Sequence, residues 1–323
     1  MKPVLRALGL LLGLAVVAVA GFVLFAAVRG IPRYAPPRLA VVQVVATPAR
    51  LAQGEKLLLA ACADCHLNRE TGALSGQQLR DVPPDFGAVY AANITQDKAH
   101  GIGAWTDAQL VGLLRTGIGP DGRYRVIMPK FAHMSDEDVA SLVAFLRSDH
   151  TMTRPDPTPS HPQEPSLLLK VLTNTTMKPV PLPRSPVVAP APADAVAFGR
   201  YLVVGRYQCY ECHSHAFATN NALSPEKSAG YLGGGNKLLN QHGQVVVSRN
   251  ITGDSDTGIG DWSEAQLGRA LRFGLGPNGP IGVPMPKYSQ LTDEEAHALY
   301  AYLQTVPKIK NATSEDGQPV AAR

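Results

Sequence analysis

From Ala7 to Val28 the chain runs for 22 residues without a charge. As a helix this stretch is about 33 Å long, enough to cross a bilayer core. Further on the pattern changes to helical periodicity. Val139, Leu142, Val143 and Leu146 share one face, and so do Ala296, Leu299, Tyr300 and Leu303. Both stretches open on a capping pattern, Ser135-x-x-Asp138 and Thr292-x-x-Glu295. Two shorter helices open on Thr106-x-x-Gln109 and Ser263-x-x-Gln266 and reach glycines suited to ending them, Gly117 and Gly274. Two more are expected over about 49–61 and 195–208. No alternating run is long enough for a central strand, so the expected fold class is all-α.

These elements come in pairs because the chain repeats. A shift of 157 residues lays Asn93-Ile94-Thr95 on Asn250-Ile251-Thr252, Gly101–Leu110 on Gly258–Leu267, and Met128-Pro129-Lys130 on Met285-Pro286-Lys287. Over residues 93–146 the two copies agree at 26 of 54 positions without a gap, the mark of a duplicated unit. Upstream the shift is 147, so the second copy holds ten extra residues, expected within Gly230–Gly243. The division expected is 1–38 as targeting or anchor segment, with its helix over about 7–28. Domains follow at 48–148 and 195–305, a linker at 149–194 and a tail at 306–323. Eleven prolines lie between residues 155 and 192, which suits a semi-rigid spacer. One apolar island, Ser166–Leu172, reads as a short helix packed on a domain. The tail after about Thr305 is polar and expected to be loose.

The net charge of +4 belongs to the N-terminus. Residues 1–38 carry five basic residues and no acid, which leaves 25 basic and 26 acidic residues in the rest. The body has no nucleic-acid footprint. Lys2 and Arg6 before the apolar run resemble the start of a signal sequence, but the run is longer than that of most cleaved signals. The expectation is an uncleaved anchor, with cleavage after the AVA before Gly21 as the alternative.

The four cysteines occupy two copies of one pentapeptide, Cys62-Ala-Asp-Cys65-His66 and Cys209-Tyr-Glu-Cys212-His213. C-x-x-C-H is the attachment signature of c-type haem. Two cysteines at this spacing can each add to one vinyl group, and the histidine that follows offers its imidazole to the iron. A thioredoxin-like redox site would need a βαβ setting. A four-cysteine zinc site would draw the two copies together and leave both histidines unexplained. Cys62, Cys65, Cys209 and Cys212 are therefore the expected attachment points of two covalently bound haem c groups, with His66 and His213 as iron ligands. Covalent haem attachment takes place outside the cytoplasm, so the body should be translocated and the N-terminus left inside.

Methionine is the usual partner of histidine in cytochromes c. Met128 and Met285 align in the repeat, each followed by Pro-Lys and an aromatic residue, and are the expected sixth ligands. Met134 is the local rival, but its counterpart is Leu291, a core pattern. Trp105 and Trp262 are also paired, near a haem edge or in the core. His215 could reach a propionate.

C-x-x-C-H, N-I-T, G-I-G-x-W, M-P-K and a capped last helix together resemble the class I cytochrome c domain. The tandem form is similar to membrane-anchored dihaem cytochromes c and to the cytochrome subunits of membrane-bound alcohol and sugar-acid dehydrogenases. The resemblance covers about residues 48–147 and 195–305. It implies two small helical domains around haems with His and Met ligands, joined by the Pro-rich linker behind an N-terminal transmembrane helix. It also implies an electron carrier and no catalysis of its own. Electrons would come from a periplasmic or membrane dehydrogenase and pass to a cytochrome or terminal oxidase. Many of those dehydrogenase subunits carry three haem motifs where this chain has two. The alternative is a dihaem peroxidase with one open haem, against which stands the Met-Pro-Lys element in both copies. The location implied is the bacterial inner membrane with the haem domains in the periplasm, or the soluble periplasm if the leader is cleaved.

Overall fold

The computed structural model describes residues 2–40, 42–240 and 242–313. Helix α1 (Lys2–Arg29) carries the apolar run. Among the described residues it is the one helix long and apolar enough to cross a membrane.

The first half contains α2 (Pro48–Ala61), α3 (Ala63–His66), strand β1 (Gly87–Ala88), α4 (Asp107–Thr116) and α5 (Asp136–Leu146). Strand β2 (Glu164–Pro165) and helix α6 (Leu167–Thr175) follow. The second half contains α7 (Ala195–Tyr201) and α8 (Cys209–His213), then strands β3 (Lys237–Leu239) and β4 (Val245–Val247). It closes with α9 (Glu264–Phe273), strands β5 (Leu275–Gly276) and β6 (Gly279–Pro280), and α10 (Asp293–Thr305). Helices dominate as expected. The strands form three short antiparallel ribbons, β1–β2, β3–β4 and β5–β6, too short to show in the sequence as alternation.

The expected caps are present. Thr106 and Ser263 each accept a bond from the amide three residues on, and Gln109 and Gln266 return it. Gly117 and Gly274 end their helices in the left-handed region. In each half the first helix crosses the last at a glycine. A Cβ on Gly54 would lie 2.1 Å from the Ser141 carbonyl oxygen, and one on Gly199 would lie 1.9 Å from that of Ala298. Ser141 and Ala298 are repeat equivalents, so both halves use one crossing. Around each crossing lies a separate core. One holds Leu57, Leu58, Leu142, Val143 and Met134, and the other Leu202, Val203, Leu299 and Leu303.

Three expectations change. From Met152 to Val187 the expected semi-rigid spacer lies as a strap on the first half, while Ala189 packs on the second core. Asn93 Nδ2 donates to the carbonyls of Asp156 and Thr158, both at 2.9 Å. Gln163 bonds Tyr90 in both directions, β2 pairs with β1, and Tyr124 donates to the Lys178 carbonyl at 2.9 Å. Proline supplies no amide donor, and most of these ties run through a side chain of the strap or of the first half. The expected island is α6, whose Leu169 is buried beside Tyr124 and Val126.

The second correction concerns the extra residues of the second copy. Gly76 donates to the His66 carbonyl and Gly234 to that of His213. The glycine stands ten residues after the histidine in the first half and 21 after it in the second. The insertion therefore precedes Gly234 and is taken up by turns at Phe217–Thr219 and Pro225–Lys227. The glycine-rich stretch itself matches first-half chain.

Third, the tail is held as far as Thr313. Val306 is buried, Asn250 Nδ2 donates to the Ile309 carbonyl at 2.6 Å, and Asn311 bonds Thr257 and Gly233. Residues 314–323 of the expected tail lie outside the described residues.

Candidate haem sites

Each pentapeptide forms a single helical turn, α3 and α8, directly after the first helix of its half. In the first half α2 runs into it almost without a break. In the second half ten residues separate Gly199 from Cys209, where eight separate Gly54 from Cys62. The surplus is absorbed by a π-helical turn at Leu202–Arg206, closed by a bond from the Tyr207 amide to the Leu202 carbonyl at 2.8 Å. Gln208 then takes left-handed backbone angles to start α8.

The two histidines are held alike. Nδ1 of His66 lies 2.7 Å from the Ala92 carbonyl oxygen, and Nδ1 of His213 lies 2.8 Å from that of Arg249. Ala92 and Arg249 are repeat equivalents. A carbonyl can only accept, so Nδ1 carries the proton and Nε2 keeps the lone pair a metal needs. Burial lowers the pKa of both imidazoles, while the carbonyl contact opposes it. They are thus neutral, the ligating form.

None of the four cysteines is paired in a disulfide. Burial pushes Cys62, Cys209 and Cys212 up to about 12, and Cys65 to about 11. Cys62 and Met128 pack on the first core, and Cys209 and Met285 on the second. Trp105 and Trp262 pack on the same cores. Met134 is fully buried in the first core, which is the role its Leu291 counterpart implies. His215 is exposed. The hydroxyls of Ser75 and Ser214, beside Gly76 and His213, are buried without a hydrogen-bond partner, and a buried hydroxyl wants one. Neutral thiols in pairs, an imidazole with Nε2 available and a thioether in the same core fit a covalently held haem.

The motif between these parts has a mechanical reading. Asn93 accepts from both the amide and the hydroxyl of Thr95, and Asn250 does the same with Thr252. The amides of Ile102 and Ile259 donate back to the carbonyls of those threonines. N-I-T and G-I-G-x-W thus lock one loop to another beside each histidine.

Sequence reasoning passed over Arg115 and Arg272, although the repeat aligns them. Arg115 donates to the Phe131 carbonyl at 2.7 Å, and Arg272 donates to the Leu291 carbonyl at 2.7 Å. Each also pairs with an acid of the following helix, Asp136 or Asp293. They clasp the chain just after each Met-Pro-Lys. Their identity at aligned positions was the available signal.

The seam between the halves was also not anticipated. Arg206, 8% exposed, donates to Asp138 at 2.7 and 3.2 Å and to Glu295 at 2.6 Å. Glu295 also pairs with Lys56, and the Tyr201 hydroxyl donates to Asp138. Asp138 and Glu295 are repeat equivalents. Near this network each Met-Pro-Lys loop meets the other half. The Lys130 carbonyl accepts from Gln208, next to Cys209, at 2.7 Å. Lys287 and Tyr288 line a small cleft with Leu59 and Ala60 of α2. The rings of Tyr207 and Tyr288 lie 4.5 Å apart.

The family described as cytochrome c oxidase, cbb3-type, subunit III, matches residues 49–146. The fructose dehydrogenase cytochrome subunit of Gluconobacter japonicus is 32% identical over 287 residues, covering 84% of this chain and 54% of that one. The cytochrome c subunit of the quinone-dependent alcohol dehydrogenase of Gluconacetobacter polyoxogenes is 30% identical, covering 78% and 54%. The chain thus spans about half the length of these two subunits. A dihaem c-type cytochrome of Cereibacter sphaeroides is 31% identical over 277 residues, covering 80% of this chain and 86% of its own. With the paired motifs, the carbonyl-held histidines and a relative matched over most of its length, the chain belongs to the c-type cytochrome family that includes this dihaem protein.

Proposed function

We propose that the chain is a dihaem electron relay that serves a membrane-bound dehydrogenase. One haem is held by Cys62 and Cys65 with His66 and Met128 on its iron, and the other by Cys209 and Cys212 with His213 and Met285. Bound haem c supplies reversible one-electron chemistry. The chain's own residues fix the imidazoles through Ala92 and Arg249, clasp the methionine loops through Arg115 and Arg272, and join the halves through Arg206. The observation that carries this reading is the duplicated set: the carbonyl-held histidine and the arginine clasp of one half both recur in the other. The seam supports a relay within one chain, because each methionine loop lies against the other half's first helix or haem-binding turn.

In this reading residues 48–148 and 195–305 are tandem class I cytochrome c domains, and α1 is a single anchor in the bacterial inner membrane with the body in the periplasm. The relatives named as dehydrogenase subunits support a dehydrogenase as donor, and a terminal oxidase or cytochrome is the acceptor.

The test is a visible spectrum of the dithionite-reduced protein with and without carbon monoxide, beside a haem-to-protein ratio. Two haems per chain and no response to carbon monoxide are expected. One responsive haem would mean an open iron and would move the protein toward peroxidase chemistry.

A further inference from the structure

Helix α6 lies against the outer end of the apolar helix α1. Ala26 is the buried residue of α1, and Val23, Ala27 and Gly30 on the same face are half-buried. At the far end of the contact Asn174 Nδ2 donates to the Gly30 carbonyl at 2.9 Å, and Arg29 donates to Asn174 Oδ1 at 3.1 Å. α6 ends at Thr175, one residue beyond Asn174. Its earlier turns lead away from the Gly30 contact. Antiparallel packing of α6 along α1 would put its first residues deepest.

Those first residues are leucines left in the open. Leu167 is 48% exposed and Leu168 is 46% exposed, while Leu169 is buried in the first half. Arg6 and Arg29 bracket 22 uncharged residues, about 33 Å of helix against a bilayer core of about 30 Å. Ala26 stands only three residues inside Arg29, about 5 Å along the axis. Charge agrees with depth. Residues 1–54 and 165–193 hold no acid and include Arg29, Arg33, Arg38, Lys170 and Lys178, against the two exposed acids next to the start of α6, Glu164 and Asp85.

Resting on the anchor reading above, we propose that α6 is a second membrane contact. Leu167 and Leu168 enter the interface of the bilayer that α1 crosses, and the surrounding arginines and lysines meet anionic lipid headgroups. An amphipathic helix in the interface combines apolar burial with such attraction. Because Leu169, on the same helix, is packed beside Tyr124 and Val126, this contact sets the first half at a fixed height and tilt on the membrane. A single flexible anchor would let it swing.

The experiment places the photoreactive residue p-benzoylphenylalanine at position 168, at position 16 within the span, and at position 217 on the second half, where Phe217 is 54% exposed. The full haem-loaded chain is put into nanodiscs of phosphatidylcholine and phosphatidylglycerol, irradiated, and examined for lipid adducts by mass spectrometry. Adducts at 16 and 168 and none at 217 are expected, with the yield at 168 falling several-fold in discs of phosphatidylcholine alone. Adducts at 16 without any at 168 would overturn the inference and leave the anchor standing. No adduct at 16 would overturn the anchor reading itself. An equal yield at 168 in both kinds of disc would overturn the role of the headgroups.

Discussion

Replacing Arg206 by methionine tests the seam. The guanidinium is almost wholly buried and donates to two carboxylates that share a position in the repeat. Methionine keeps the length and removes the charge. Asp138 would keep the Tyr201 hydroxyl, and Glu295 would keep Lys56 and the Thr292 amide. Breaking a buried pair by removing one partner typically costs about 3–5 kcal/mol, because a charge stays behind uncompensated. An upper bound comes from protonation: neutralising an ordinary carboxyl with pKa about 4 at pH 7 costs roughly 4 kcal/mol. The expected loss is therefore about 3–4 kcal/mol at pH 7, read from urea titrations of the haem-loaded chain by far-UV dichroism. The sign with pH follows. A stranded buried carboxyl has a folded pKa above its unfolded value, so the variant gains relative stability as pH falls and protons enter. The deficit should shrink toward pH 4.5 and be largest above pH 7. Arg123→Met is the control, since Arg123 is 62% exposed, and it should stay within about 0.5 kcal/mol of the parent. An Arg206 variant indistinguishable from that control, or a deficit independent of pH, would refute the account of the seam.

Four further outcomes follow from the same geometry. Gly54→Ala and Gly199→Ala each drive a Cβ into a backbone carbonyl and should cost about 1–3 kcal/mol or more, seen as a lower melting temperature and reduced haem-loaded yield; a neutral effect at either would mean the helices are not held at that crossing. Met128→Ala should open one haem to carbon monoxide and Met285→Ala the other, and a spectrum unchanged in either variant would remove that methionine from the iron. Arg115→Met should cost more than Arg272→Met, because the first side chain is 3% exposed and the second 21%; roughly 2–3 kcal/mol against 1 is expected from stranded carbonyls, and the reverse order would show that the clasp is not what matters. Asn174→Ala removes the bonds to Gly30 and Arg29 and should raise amide hydrogen exchange in α6 and in residues 23–30 while α5 is unchanged.

The candidate haem parts could be named from the sequence because each is local. A pentapeptide states two thiols and an imidazole, and the caps of α4, α5, α9 and α10 each occupy four consecutive residues. The repeat did the rest by pairing Met128 with Met285, since a lone methionine reads as core filler. What escaped notice depends on contacts far apart in sequence. Arg206 meets residues 68 and 89 positions away, and nothing in its own neighbourhood announces them. The strap looked like a spacer because proline weakens both regular structures. The sequence carries no mark that Asn93, Gln163 and Tyr124 would supply its bonds. The glycines of Gly230–Gly243 suggest an inserted loop, but the matching amides to the His66 and His213 carbonyls, which place the insertion before Gly234, are set only in three dimensions.

Arg206 also accounts for one place where the two halves differ. Over residues 93–146 the copies agree without a gap, but between the crossing glycine and the first cysteine the second copy is two residues longer. A straight helix cannot absorb two residues without turning its later side chains to a new face. The π-helical turn takes up the excess locally, and the residues it carries end at Arg206. Leu59, three residues before Cys62, stands where Arg206 stands before Cys209. In a duplicated unit Asp138 and Glu295 would begin as like charges with no partner of their own. One arginine between them, with Lys56 from the other half, gives two cations for two anions. This departure thus lies at the surface where the copies meet, while each pentapeptide and the run from Asn-Ile-Thr to the last helix keep their internal spacing and the ten extra residues fall between them.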